Sequence, residues 1–279
     1  MKKLLAILLT LALSLSFTAA LADTVTIGVP NDTTNEARAL LLLQANGIIK
    51  LAMGSGIQAT VRDIVENPYN VEIVEIEAAQ LPVQLPDLDY AVINSNYAIS
   101  ADLNPVKDSP LLEGSYSAYG NILAVKEGAE ESDKVKALVA ALESKQVADF
   151  ITETYNGSVV STVENPTDGY DATVDYDALK GQKITVAASP TPHAEILKVA
   201  QEILAAKDVE LEIVEFTDYV QPNLVVDNGE IDANYCQHLP YLEDFNKEQG
   251  THIVSIATIH VEPMGLYGGK QTSLDALTK

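Results

Sequence analysis

Two stretches of the chain, TVTIGVP (Thr24 to Pro30) and KITVAASP (Lys183 to Pro190), read as apolar strands that end in a polar turn and run into a segment of helical period. Behind the first, NEARALLLLQANG has Thr33 and Glu36 at capping-box spacing and closes at Asn46-Gly47, which predicts a helix between them. Behind the second, PHAEILKVAQEILAAK puts Pro192 at a first helical position and Ile196, Leu197, Ala200, Ile203 and Leu204 on one face. The period then changes. NVEIVEIE (Asn70 to Glu77) and VELEIVEF (Val209 to Phe216) alternate apolar with acidic residues, as half-buried strands do, and a short helical stretch follows each. A third strand closes each unit, LDYAVINSNYA (Leu88 to Ala98) in one and EIDANYCQHLPY (Glu230 to Tyr241) in the other.

This repeated β-α-β-α-β grammar predicts an α/β fold of two doubly wound lobes. Ligands of such sheets sit beyond the carboxyl ends of the strands, so two facing lobes share one cleft. Asn234, Tyr235, Cys236, Gln237 and His238 fall at such a strand end, and Asn94, Ser95, Asn96 and Tyr97 hold the equivalent place in the other half. Strand alternation is expected to turn Asn94 and Asn96 to the same side. Between the halves, YGNILAVKEG reads as one more strand and SDKVKALVAALESKQVADFITETY as one amphipathic helix starting at Ser132 or Asp133. VENPTDGYDATVDY (Val163 to Tyr176), rich in Asp, Pro and Gly and without period, reads as a linker.

Composition narrows the partners. The 279 residues carry 40 acidic and 17 basic side chains, a formal charge of -23, which argues against nucleic acid or anionic lipid as a partner. Residues 1–22, with Lys2, Lys3, an apolar run and Ala20-Leu21-Ala22, read as a cleavable signal peptide; its removal takes the charge to -25 and implies an exported protein. Cys236 is the single cysteine, so no internal disulfide is expected. No GxxxxGK or GxGxxG run is present, and ATP hydrolysis, if it powers the function, belongs to a partner.

The runs DTTNEARALLLLQANGIIKL, AVINSNYA, PHAEIL, LEIVEFTDYVQPN, DANYCQHLPYLEDFN and HVEPMGLY resemble the methionine-binding MetQ/NlpA family of substrate-binding lipoproteins over nearly the whole mature chain. That resemblance implies a type II periplasmic-binding-protein fold with no cofactor. It also implies a monomer that delivers D- or L-methionine, or a closely related amino acid or dipeptide, to an ABC permease and its ATPase subunit. Two departures stand out. In the family the PHAEIL half comes first, so the order here is that of a circular permutant joined through Val163 to Tyr176. One lobe is then expected from 23–115 plus 261–279, and the other from 116–260. The family also carries a cysteine directly after its signal peptide where this chain has Asp23, so a periplasmic or cell-surface protein without that lipid anchor is expected.

For a free amino acid, the planar fork of Arg38 suits a carboxylate, a role the resemblance also assigns to it. Asn94 and Asn96 offer carbonyls to the ammonium and amides to the carboxylate, with Asn234 a weaker candidate. Tyr219, Tyr235, Cys236 and His238 could supply an aromatic, polarisable wall for a thioether; the family usually has two phenylalanines where Tyr235 and Cys236 stand. His193, His260 and Glu262 read as hinge or helix-start residues, His193 without a ligand role. Lobe closure is expected near Glu113 to Gly120 and His260 to Gly265, with Gly114, Gly120 and Gly265 permitting motion. Two rival classes remain open. One is an enzyme using Cys236 and His238 as nucleophile and base. The other is a metal-binding receptor using His193, His238, His260 and Glu262, which lack tight metal-ligand spacing.

Overall fold

The computed structural model describes residues 24–114 and 119–278. The signal-peptide reading of residues 1–22, Asp23 and the expected boundary at 115/116 lie outside the described residues. In chain order the strands are β1 (Val25–Pro30), β2 (Lys50–Leu51), β3 (Ile64–Glu66), β4 (Val71–Ile76), β5 (Tyr90–Ile93), β6 (Leu111–Leu112), β7 (Gly120–Lys126), β8 (Val160–Ser161), β9 (Lys183–Ala188), β10 (Glu210–Glu215), β11 (Ala233–His238), β12 (Ile253–Val261) and β13 (Gly265–Gly268).

They build two main sheets, β4-β1-β5-β13-β6 and β10-β9-β11-β7-β12-β8, while β2 and β3 pair with each other. Each main sheet has three parallel strands joined to antiparallel ones. The chain crosses between the sheets twice, from β6 to β7 and from β12 to β13.

The two repeats are braced alike at the strand starts. The Thr26 backbone N–H and hydroxyl both donate to Asp89 Oδ2, at 2.8 and 3.0 Å, and the Asp89 N–H returns a bond to Thr26 Oγ1 at 3.0 Å. Thr185 and Asp232 repeat this pattern at 2.8, 3.1 and 2.9 Å. Six residue pairs then run in parallel register, Val25↔Val71 to Pro30↔Ile76 in one sheet and Lys183↔Glu210 to Glu215↔Ala188 in the other. The expected face of the helix Glu195–Ala205 is buried at all five positions, packed in a core with Ile184, Val186 and Leu138. Leu40 and Leu43 of the helix Thr33–Ala45 pack with Ile27 and Val92 in the core of the first sheet. Full burial of each such side chain contributes about 1.5–3 kcal/mol.

Several local expectations change. The helix Thr33–Ala45 is capped by Asp32, whose carboxylate accepts from the Asn35 N–H at 3.0 Å, and Glu36 bonds the Val61 N–H instead of closing a capping box. A carboxylate one position earlier outcompetes the Thr33 hydroxyl as acceptor. Its far end is as expected, with Gly47 at φ +72° turning the chain back. The single helix expected from Ser132 is two, Asp133–Leu142 and Lys145–Tyr155, because Ser144 caps the second through the Val147 N–H. Pro192 follows a cis bond inside the turn Pro190–Ala194, and the regular helix begins only at Glu195. The strand expected to run through Ala98 ends at Ile93, and Ser95–Ser100 is helical. Gly120 and Gly265 adopt no left-handed φ. An added Cβ would stand 2.5 Å from Thr258 Cγ2 and Ser109 Oγ respectively, so a larger residue at either position would have to displace that side chain.

Candidate functional site

A cavity opens where the carboxyl ends of the two sheets face each other. On the first-sheet side, the helix Thr33–Ala45 follows β1 directly and projects Asn35 and Arg38, three residues apart, into it. Asn94 and Asn96 reach it from the β5 end, although alternation is not the reason. Asn94 is the extended residue between strand and helix, and Asn96 lies in the helix's first turn. On the second-sheet side the wall is Tyr219, Cys236, Gln237, His238 and Tyr241.

Arg38 is the buried cation of the site. Its Nε lies 3.1 Å from each carboxylate oxygen of Glu113, and Nη2 bonds Glu113 at 2.5 Å and the Glu262 carbonyl at 2.7 Å. The guanidinium also stacks over the Tyr119 ring, 4.4 Å from its centre. Glu113 and Glu262 belong to the two crossing segments, so one side chain of the first lobe grips both. None of these hydrogen bonds falls on Nη1.

Two amides divide the remaining polar work. Asn94 Nδ2 donates to Asn35 Oδ1 at 2.9 Å, and His238 Nε2 approaches the same oxygen at 3.3 Å from the opposite lobe. Asn94 Oδ1 is buried in the cavity wall without a hydrogen-bond partner. Asn96 Oδ1 accepts from the Tyr219 hydroxyl at 2.7 Å, and Tyr97 donates to the Thr217 carbonyl at 3.1 Å, so both bonds tie one lobe to the other. The Tyr219 ring lies against Tyr97 and Tyr241, with centres 5.0 and 5.9 Å away. Cys236 completes this wall. Burial pushes its thiol up from its ordinary value, and its sulfur contacts Asn234 Oδ1 at 4.0 Å. His238 Nδ1 instead accepts from the Tyr241 N–H at 3.2 Å, so thiol and imidazole do not form a nucleophile–base pair.

Of the residues singled out from sequence, Arg38, Asn94, Asn96, Tyr219, Cys236 and His238 line the cavity. Tyr235 and Asn234 do not. Tyr235 is fully buried in the second lobe's core, because alternation along β11 turns it away from the cleft, and its hydroxyl pairs with His260 Nδ1. Asn234 lies beneath the wall, bonded to Asn223 Oδ1 at 2.9 Å and accepting from Gln237 at 2.7 Å. An irregularity in β11 between Tyr235 and Gln237 brings Gln237 to the Asn234 side.

His193 is more than a helix-start residue. It lines the cavity, with Nε2 2.9 Å from Asn121 Oδ1 and 3.2 Å from Glu262 Oε1. His260 Nε2 lies 2.8 Å from the same carboxylate oxygen. Burial holds both imidazoles neutral, each pushed down to about 3. Burial also pushes the Glu262 carboxyl up, while His193 and Arg38 pull the other way. Asn35, Asn121 and Tyr241 had no signal beyond position: each sits at an element end that faces the cleft only once both sheets are assembled.

Parts of the chain are similar to known proteins. A sequence model described as NlpA lipoprotein matches residues 15–163 and 184–279. The probable D-methionine-binding lipoprotein MetQ of Vibrio cholerae is 44% identical over 140 residues, 50% of this chain and 52% of that protein. The D-methionine-binding lipoprotein MetQ of Escherichia coli is 44% identical over 142 residues, with 50% and 52% covered. The chain thus spans about half the length of the curated relatives it matches. Among solved structures, a nutrient-binding protein from Burkholderia cenocepacia bound to methionine shares 48% identity over 50% of this chain and 61% of that one, with a TM-score of 0.48.

Proposed function

Because the chain belongs to the NlpA lipoprotein family, we propose that it captures methionine, or a closely related amino acid or dipeptide, in the interlobe cavity and delivers it to an ABC permease powered by a separate ATPase. The family consists of substrate-binding proteins, not enzymes. The observation that carries the reading is the polarity of the cavity: Arg38 and the unpartnered Asn94 Oδ1 stand on one wall, with the Tyr219, Tyr241 and Cys236 surface opposite. A buried acceptor without a donor costs about 1–3 kcal/mol. A ligand ammonium recovers that cost at Asn94, its carboxylate meets the guanidinium, and a thioether lies along the aromatic rings. A thermal-shift screen with L-methionine, D-methionine, Gly-Met and the other amino acids tests this. Methionine is expected to stabilise the protein, and Asn94→Ala to reduce the shift.

The same reading takes the protein as an exported monomer acting outside the cytoplasm. Among the described residues, no helix is long and apolar enough to cross a membrane. It also takes the chain as a circular permutant, with lobes 23–115 plus 261–279 and 116–260. Two features support that order. The family match breaks between 163 and 184, around the segment read as a joint, and Val25 and Leu277 pack in one core cluster. A re-permuted chain, joined from Lys279 to Thr24 and opened within 163–176, is then expected to unfold with an unchanged urea midpoint.

A further inference from the structure

The cluster at the second crossing has a chemistry that amino-acid capture does not use. His193 Nε2, His260 Nε2 and Glu262 Oε1 lie within 4.8 Å of one another, all three residues buried. Asn121 Oδ1, 2.9 Å from His193 Nε2, adds an oxygen donor. The fold explains the convergence. His260 and Asn121 are register partners in the β12–β7 pair, Glu262 follows β12 immediately, and the turn Pro190–Ala194 lowers His193 onto them.

The two carboxylates at the crossings have different partners: Glu113 pairs with the Arg38 guanidinium, while the Glu262 side chain faces the His193 and His260 rings, with the Asn121 amide beside His193.

We propose that His193, His260 and Glu262 form a three-ligand site for a divalent cation of zinc type, with Asn121 or a cavity ligand as fourth donor. Two imidazoles and one carboxylate with a position left towards a cavity suit a borderline metal far better than calcium or magnesium, which take oxygen ligands. The donors stand at hydrogen-bond separations of 2.8 and 3.2 Å from Glu262 Oε1. Tetrahedral bonds of about 2.0–2.1 Å place donors roughly 3.3 Å apart, so an ion seats once the donor atoms, which lie within 4.8 Å of one another, adjust to that spacing and the Nε2 protons are lost.

Tyr235 supplies the supporting contact. With the His260 Nε2–H donating to Glu262, the Tyr235 hydroxyl donates to His260 Nδ1. With metal on Nε2 the proton resides on Nδ1, and the same hydroxyl accepts it. Tyr235 therefore orients the ligand in either state without touching the amino-acid cavity.

The test uses the full chain, stripped with chelator and free of amino acid, so its outcome is independent of the methionine reading. Titration with Zn²⁺ against a chromophoric competitor is expected to give one tight site, and Co²⁺ to give the visible absorption of a tetrahedral complex. His193→Gln and Glu262→Gln should each weaken Zn²⁺ by well over tenfold, Tyr235→Phe by about tenfold, and His252→Ala, at an exposed histidine outside the cluster, not at all. Ca²⁺ and Mg²⁺ should not compete. Absence of a tight site in the parent protein overturns the proposal, as does binding undiminished in His193→Gln and Tyr235→Phe, which would place the ion on surface carboxylates. If Glu262→Gln fails to unfold cooperatively, the other two variants decide.

Discussion

The two lobes are closely matched at one end of their sheets and unlike at the other. At the strand starts each has a Thr–Asp brace with the same three hydrogen bonds, followed by six register pairs. At the strand ends the first lobe presents a guanidinium and amides, while the second adds tyrosines, a thiol and two histidines to its own Asn121 and Gln237 amides. The repeated part builds the frame, and the divergent part makes a cavity with a polar wall and a soft wall. A ligand with an ionic head and a polarisable tail needs both.

The sharpest way to break this comparison is at Arg38. Arg38→Ala leaves Glu113 unpaired between the lobes, and removal of one partner of a buried pair costs about 3–5 kcal/mol. The effect should fall at the lower end of that range, because Glu113 retains 19% exposure and can reach water. Urea unfolding measures it. Lys183→Ala, at the start of β9, removes ion pairs to Glu210 and Glu212 at half-exposed side chains and should leave the urea midpoint close to that of the parent protein.

A smaller, symmetric effect is expected at the braces. Thr26→Val and Thr185→Val each remove a hydroxyl that both donates and accepts, which should cost about 1–2 kcal/mol. The two midpoints should drop by nearly equal amounts. A large inequality would mean that the repeats are alike in pattern but not in energetics.

The mildest test concerns the soft wall. Cys236 is 4% exposed, and burial raises its thiol, so the native protein should resist alkylation at pH 8 and react fully in urea. Rapid native labelling would show a cleft that opens further than the described packing allows.

Periodicity carried the frame into view because buried strands and amphipathic helices obey local rules. The five buried positions of the helix Glu195–Ala205 were legible residue by residue. What local rules missed were competitions between neighbours. Asp32 displaced Thr33 as cap, Ser144 split one helix into two, and the chain turned helical at Ser95. At the site, Arg38 and the Asn94 and Asn96 pair could be picked from residue type and strand-end position. Alternation should have excluded Tyr235, whose aromatic character suited a thioether wall but whose register faces the core. The pairings Arg38–Glu113 and His193–Glu262 join residues far apart in sequence, and only the assembled crossings bring them together.

The central claim is that the polar wall reads an α-amino acid's head group, and calorimetry with methionine and its des-amino analogue tests it most directly in the parent protein and in Asn94→Leu. The account predicts that the parent protein binds methionine at least about tenfold more tightly than the analogue, and that Asn94→Leu removes most of this preference. Equal affinity for both compounds in the parent protein would contradict it.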